Sequence, residues 1–217
     1  MTHHPGHLVC IFGGAVAGSE AAYQFASRGV YSVVFDMGVL PWGKIELGLP
    51  KWHSRQRDQE EAGIDERLSH PYVRYVPSTK LGRDIHLPEP LDWGASAVLL
   101  AVGAWQDRPL AVPGIDEHVG EGFYYQNPFV AWFNQYHSPH YEGPAFEVSD
   151  DAAVIGGGLA SLDVVKILML ESTVRALSER GHSVDIFTLE KKGIPKTLAT
   201  LGVRWEDLGI KGCALYY

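Results

Sequence analysis

Two glycine turns hold the residues that could do chemistry. They read Gly13-Gly14-Ala15-Val16-Ala17-Gly18 and Gly156-Gly157-Gly158-Leu159-Ala160-Ser161. A turn of this kind, delivered by a strand to the start of a helix, makes an anion site. Free backbone N–H groups and the positive end of the helix dipole face the ligand. The first glycine permits the tight turn, the second lets backbone approach a pyrophosphate, and the third lets helix and strand pack closely. Gly13 and Gly18 fit the outer positions of the first turn, and Ala15 puts a methyl at the middle one. Gly156 and Gly158 fit in the second turn, where Ser161 replaces the third glycine. Asp36 lies 18 residues after Gly18 and supplies an acid that can accept hydrogen bonds from a ribose. In the second copy, Glu190 precedes Lys191 and Lys192, 32 residues after Gly158. The acid favours a free ribose and the lysines favour a 2′-phosphate, which leaves NADPH and NADH both open, with NADPH preferred. Two dinucleotide sites in one chain suggest a relay between a resident redox cofactor and one that arrives and leaves, naturally FAD with a nicotinamide.

The surrounding pattern is strand–turn–helix–strand, twice. Leu8–Phe12 is a short apolar run of the kind buried on both faces of a parallel sheet. A helix follows over Ser19–Ser27, stopped by Gly29, and then a strand over Tyr31–Phe35. In the second copy Ala153–Ile155 is the strand. Leu159–Leu170 holds nine apolar residues in twelve and predicts a helix buried nearly all round, continuing over Ser172–Arg180. Ser183–Leu189 reads as the following strand. Between the copies come a Gly/Pro-punctuated loop over 37–50, a polar helix over 51–69, short strands over Tyr72–Val76 and Arg83–Leu87, and a buried strand over Ser96–Val102. Asn127-Pro128 predicts a helix start. Phe129, Trp132, Phe133 and Tyr136 then fall on one face, more suited to core packing than to a ligand. The fold class expected is α/β with two Rossmann-like dinucleotide-binding units, the second incomplete. The domains expected are an FAD-binding unit over 1–104, a connecting segment over 105–150 and a partial NAD(P)-binding unit over 151–217.

Length and composition agree with this. The chain has 217 residues, 46% hydrophobic and 20% charged, enough for one large or two small globular domains. Its 18 basic against 26 acidic residues give a net charge of −8, which disfavours a nucleic-acid partner. No stretch of about 18 apolar residues exists to span a membrane. The first residues lack the basic and long apolar regions of a secretory signal, so a cytoplasmic protein is expected. Two cysteines, Cys10 and Cys213, are too far apart in sequence for a Cys-x-x-Cys motif, and Cys10 reads as inert strand packing. No metal site is expected; His3, His4 and His7 read as one end of the chain. Lys51, Arg55 and Arg57 are followed at once by Asp58, Glu60 and Glu61, which favours a solvated helix face over a docking patch for an acidic partner.

In their order these motifs resemble one family. The chain is similar to the N-terminal part of the adrenodoxin reductase-like and glutamate-synthase-small-subunit-like flavoproteins. Val9–Ala21 resembles their FAD fingerprint. Ala101-Val102-Gly103-Ala104 with Pro113-Gly114-Ile115 resembles the second flavin-side motif. Pro41-Trp42-Gly43-Lys44 through Leu49-Pro50 is similar to the loop packed near the flavin, and Pro128–Asn134 to the interdomain helix. Ala153–Leu168, with Asp163, resembles the nicotinamide fingerprint. The resemblance implies FAD contacts at Gly13, Gly14, Ala15, Gly18, Asp36, Gly43, Lys44, Leu49, Val76 and Gly103. It implies nicotinamide-cofactor contacts at Gly156, Gly158, Ser161, Lys191 and Lys192. The implied activity is hydride transfer from NADPH or NADH to FAD, then electron transfer to a separate ferredoxin or iron–sulfur protein. The flavin does the chemistry, so no catalytic acid or base is named. Relatives are expected to continue for a similar length again, which makes the chain a portion of such a flavoprotein. A binding module or subunit that needs a partner for activity is the alternative.

Overall fold

The computed structural model describes residues 6–217; His3 and His4 lie outside them. Contacts divide the chain into two compact units. The first takes the chain up to Leu49 and again from His53 to Trp105; the second takes Pro50–Trp52 and Gln106–Tyr217.

The first unit contains β1 (Leu8–Phe12), α1 (Val16–Ala26), β2 (Tyr31–Phe35), α2 (Lys44–Gly48), α3 (Ser54–Leu68), β3 (Val73–Val76), α4 (Glu89–Asp92) and β4 (Ala97–Leu100). Its four strands form one parallel sheet in the order β3-β2-β1-β4. Side chains alternate across each strand, so β1 feeds two cores. Val9 and Ile11 pack with Ala22 and Ala26 of α1, and with Val34 and Val73. Cys10 and Phe12 pack on the opposite face with Phe35, Ile85 and Ala95. The rings of Phe12 and Phe35 stack there with centroids 5.3 Å apart. This two-sided burial is why β1 and β2 read as continuous apolar runs. The strand expected over Arg83–Leu87 is instead a tight turn, with a single bridge from Leu81 to Ile85. Asp84 holds it by accepting from the Lys80 N–H at 2.8 Å.

The second unit contains α5 (Gln126–Gln135), β5 (Ala152–Ile155), α6 (Leu159–Glu179), α7 (Ile186–Lys192), α8 (Ile194–Leu201), α9 (Trp205–Leu208) and β6 (Cys213–Tyr216). Helix α5 starts one residue before Asn127, and the Asn127 N–H is taken by the Asp107 carboxylate at 3.1 Å. Its aromatic face is core, as expected: Phe129, Trp132 and Phe133 are buried with Val154, Ile167, Leu170 and Leu189.

A strand expected in this unit also differs from expectation. Residues 183–185 are irregular and Ile186–Lys192 is helical. Asp185 caps that helix, accepting from the Thr188 N–H at 2.7 Å. Capping satisfies a backbone donor that a ladder would otherwise use. Ile186 and Leu189, three residues apart, are both buried on one helical face. The strand that does pair with β5 is β6, parallel, with Ile155 opposite Tyr216. The second sheet therefore has two strands, joined through α6 to α9.

Candidate functional site

In the first unit the strand order reverses beside β1: β2 and β3 lie to one side, β4 to the other. Ligands of open α/β sheets bind in the crevice at such a switch point, beyond the carboxyl ends of the strands. Gly13 stands there. Its N–H donates to the Phe35 carbonyl at 2.7 Å, its φ is +100°, and an added Cβ would lie closer than 3.0 Å to the carbonyl of Ala101. Only glycine meets both conditions. Gly18 is constrained differently: a Cβ would collide with the carbonyl oxygen of Gly13, so α1 rests directly on the turn.

Asp36 follows β2 and is 9% exposed. One carboxylate oxygen accepts from the Gly14 N–H at 2.6 Å, and the other from the Gly38 N–H at 2.8 Å. Its own N–H donates to the Val76 carbonyl at 3.0 Å, which ties the end of β3 to the site. Tyr75 packs beside Gly14, and its hydroxyl donates to the carbonyls of Gly38 and Val39 at 3.4 Å each. Burial, then the Asp36 charge, pushes the Tyr75 phenol well above its ordinary range. Tyr75 was not legible as a site residue; its only signal is its position in β3 one residue before Val76.

Ala15 occupies the cap position of α1 with no capping side chain, and no acid sits in the first helical turn. The positive end of the helix is thus uncompensated by any side chain of its own first turn, and the nearby carboxylate is that of Asp36 on the Gly14 N–H. Gly43 comes close to Ala15: a Cβ there would be 3.1 Å from the Ala15 methyl. Lys44 begins α2, and its ammonium lies 5.9 Å from the centroid of the Trp105 ring, near Gly103. Leu49 leaves α2 in extended conformation. The structure brings Gly13, Gly14, Ala15, Gly18, Asp36, Gly43 and Val76 to one end of the sheet. Lys44 and Gly103 meet at Trp105.

The second turn repeats this geometry with different side chains. The Gly156 N–H donates to the Tyr216 carbonyl at 2.8 Å. Gly158 is the cap residue of α6, again without a capping side chain or an acid in the first turn. The Ser161 N–H donates to the Gly158 carbonyl at 3.0 Å, and its side chain faces Gly156. Lys191 and Lys192 do not stand at a strand end, because the strand expected to carry them is α7. Glu190 pairs with Lys166 at 2.6 Å. Lys192 lines a cavity of about 200 Å³ with Asp185, Thr188 and Thr197, and the glycine turn does not line it. Asp163 lies on α6 and accepts from Trp52 Nε1 at 3.3 Å, while Lys166 sits 4.4 Å from the Trp52 ring centroid. Arg55 and Asp58 of α3 are exposed, as expected of a solvated face, whereas Arg57 pairs with Glu61 at 3.8 Å with both side chains largely buried. Among the described residues no group of His, Cys, Asp and Glu is arranged to hold a metal, and no helix is long and apolar enough to cross a membrane.

Two parallel sheet-and-helix units, each with a glycine turn feeding a helix, define tandem Rossmann-like units, the second smaller. No family model matches the chain. It is 30% identical to the mitochondrial NADPH:adrenodoxin oxidoreductase of Arabidopsis thaliana, over 94% of this chain and 44% of that protein. It is 29% identical to the NADPH-ferredoxin reductase FprA of Mycobacterium leprae, over 91% of this chain and 43% of that one. The structure of Mycobacterium tuberculosis FprA in complex with NADPH superposes with a TM-score of 0.65 at 27% identity, covering 80% of this chain and 38% of that chain. Over most of its length the chain is similar to FprA and adrenodoxin reductase proteins. It spans less than half the length of these curated relatives.

Proposed function

We propose that the chain is the cofactor-binding part of an FAD-dependent oxidoreductase that takes hydride from NADPH or NADH and passes electrons to a ferredoxin or iron–sulfur protein. The observation that carries this is the first turn. A cradle that a Cβ would fill at Gly13 and Gly18, an uncapped helix start at Ala15 and the carboxylate of Asp36 together fit the pyrophosphate and ribose of a dinucleotide. Gly13, Gly14, Ala15 and Gly18 would hold the pyrophosphate, Asp36 the ribose, and Val76 the adenosine side. Gly43, Lys44, Leu49 and Gly103 would line the remainder of the FAD site. At the second turn Gly156, Gly158 and Ser161 would hold the nicotinamide cofactor. The flavin, when bound, accepts the hydride and releases electrons singly. The chain's own contribution is orientation and electrostatics. The names of the relatives support NADPH and a ferredoxin-type acceptor. A cytoplasmic setting belongs to this reading, whereas the Arabidopsis relative is named as mitochondrial.

The absorbance spectrum of the purified chain with added FAD tests the reading. Uptake of FAD, then bleaching on anaerobic NADPH or NADH, is the expected result; a chain that takes up no FAD sinks it. The two-stranded sheet of the second unit favours one other reading, a dinucleotide-binding module that needs a partner for turnover. Bound flavin that never bleaches is the outcome that selects it.

A further inference from the structure

Helices α7 and α8 enclose the cavity of about 200 Å³ that the glycine turn does not line. It holds about seven water-sized groups, whereas pockets for drug-sized ligands run to about 300–1,000 Å³. Its ligand is therefore small. Asp185, Thr188 and Lys192 fall at i, i+3 and i+7, on one face of α7, and all three line the cavity. The acid and the base stand about 10 Å apart along the helix, measured at the backbone. One Asp185 oxygen accepts from the Thr188 N–H; its other oxygen and the Lys192 ammonium have no partner among the described residues. Thr197 and Thr200 of α8 donate their hydroxyl protons to the Gly193 and Lys196 carbonyls at 3.0 and 2.9 Å, so they offer the cavity lone pairs. Val184 and Leu201 supply an apolar wall. Charges of these signs at these ends also suit the helix dipole, but the dipole does not account for a hollow between them.

We propose that this cavity binds a small aliphatic α-amino acid as its zwitterion. The ligand carboxylate meets Lys192, its ammonium meets Asp185 and a threonine hydroxyl, and its side chain lies against Val184 and Leu201. The span between Asp185 and Lys192 suits one such molecule with a charge-assisted hydrogen bond at each end. A simple anion would face the Asp185 carboxylate, and a simple amine would face the Lys192 ammonium. Each is penalised by one unmatched charge, and a zwitterion satisfies both. Because the glycine turn takes no part, the site is independent of any dinucleotide bound there.

Titration of the ¹⁵N-labelled full chain with L-valine, read by amide chemical shifts, tests this. Saturable shifts at Thr188, Lys192 and Thr200 are expected, with a Kd on the order of 1 mM for so small a ligand. Isovalerate lacks the ammonium and isobutylamine lacks the carboxylate; each should bind weaker than valine by about tenfold or more. Lys192→Met removes one charge, and Asp185→Asn removes the other while keeping a helix-capping side chain. Each variant is expected to weaken valine by about tenfold, with the rest of the amide spectrum reporting an intact fold. Shifts that never saturate, or valine affinity unchanged in both variants, overturn the proposal. Isovalerate or isobutylamine binding as tightly as valine overturns it too, and that comparison on wild type decides without either variant.

Discussion

The first and second glycine turns share one backbone device and differ in what surrounds it. The first stands at the switch point of a four-stranded sheet, with α1 seated on the carbonyl of Gly13 and a carboxylate locked over Gly14. The second stands on a two-stranded sheet, where Ser161 replaces the glycine contact and Tyr217, not a carboxylate, lies beside Gly157. Hydrogen bonding between the first glycine and the neighbouring strand is common to both, so it is the part the strand–turn–helix unit dictates. Side chains at the sixth position of the turn and just after the neighbouring strand are where the two diverge. The two turns therefore differ outside their glycines.

The comparison breaks most sharply at Gly18. Glycine to alanine inside a helix ordinarily stabilises by about 1 kcal/mol. Here the added methyl meets the Gly13 carbonyl, and overpacking reverses the sign. Gly18→Ala is expected to cost about 2–3 kcal/mol, a drop of about 4–12 °C in the melting temperature by calorimetry. An unchanged melting temperature would mean α1 is free to lift off the turn.

Asp36→Ala comes next. It leaves the N–H groups of Gly14 and Gly38 without their acceptor, a loss of about 1–3 kcal/mol in stability. Affinity for FAD should fall about tenfold or more, read by flavin fluorescence. Undiminished FAD binding would remove the acid from the site.

A smaller effect separates the units by pH. His137 packs against Phe133, Tyr136 and Phe187 in the second unit, with Nε2 buried and unpaired among the described residues. Burial, then the nearby Lys51 charge, lowers its pKa below the ordinary 6.5, and Asp185 opposes this in part. The folded chain thus binds this proton less readily than the unfolded chain. The stability is fully present above about pH 6.5 and declines as the pH falls below it. Between pH 7.5 and 5.5 the aromatic circular dichroism melt should move downward in temperature, and less so in His137→Phe. Equal shifts in the two proteins would assign the acid sensitivity elsewhere.

The least change is expected for Ser161→Ala. The second turn already accommodates a Cβ at this position, so stability should stay within about 0.5 kcal/mol. A loss as large as that of Gly18→Ala would erase the distinction between the turns.

Gly13, Gly18 and Asp36 were legible because everything they need lies within thirty residues: an apolar strand, a turn, a helix and the next strand. The partner of β5 was not, because its crossover runs through four helices before Cys213. Ser183–Leu189 alternates as a strand would, but Asp185 caps a helix there, and the burial of Ile186 and Leu189 follows helical spacing. With the wrong strand assigned, Lys191 and Lys192 were expected at a strand end and lie on a helix instead. Tyr75 went unseen for another reason: its meaning lies in contacts to Gly14 and to the 38–39 backbone, which no local spacing reveals.

The seating of α1 on Gly13 has a consequence for the cost of capture. The turn between them has no slack, and its far side is held by the two carboxylate bonds of Asp36. A phosphate arriving there would meet the first-turn amides of α1 on a backbone already fixed at Gly13 and Gly14, so little conformational entropy would remain to be lost on binding. Amide exchange at Gly13 and Gly14, whose N–H groups are already bonded, should be slow before any ligand is present, whereas a bound dinucleotide should slow exchange at the unbonded first-turn amides of α1.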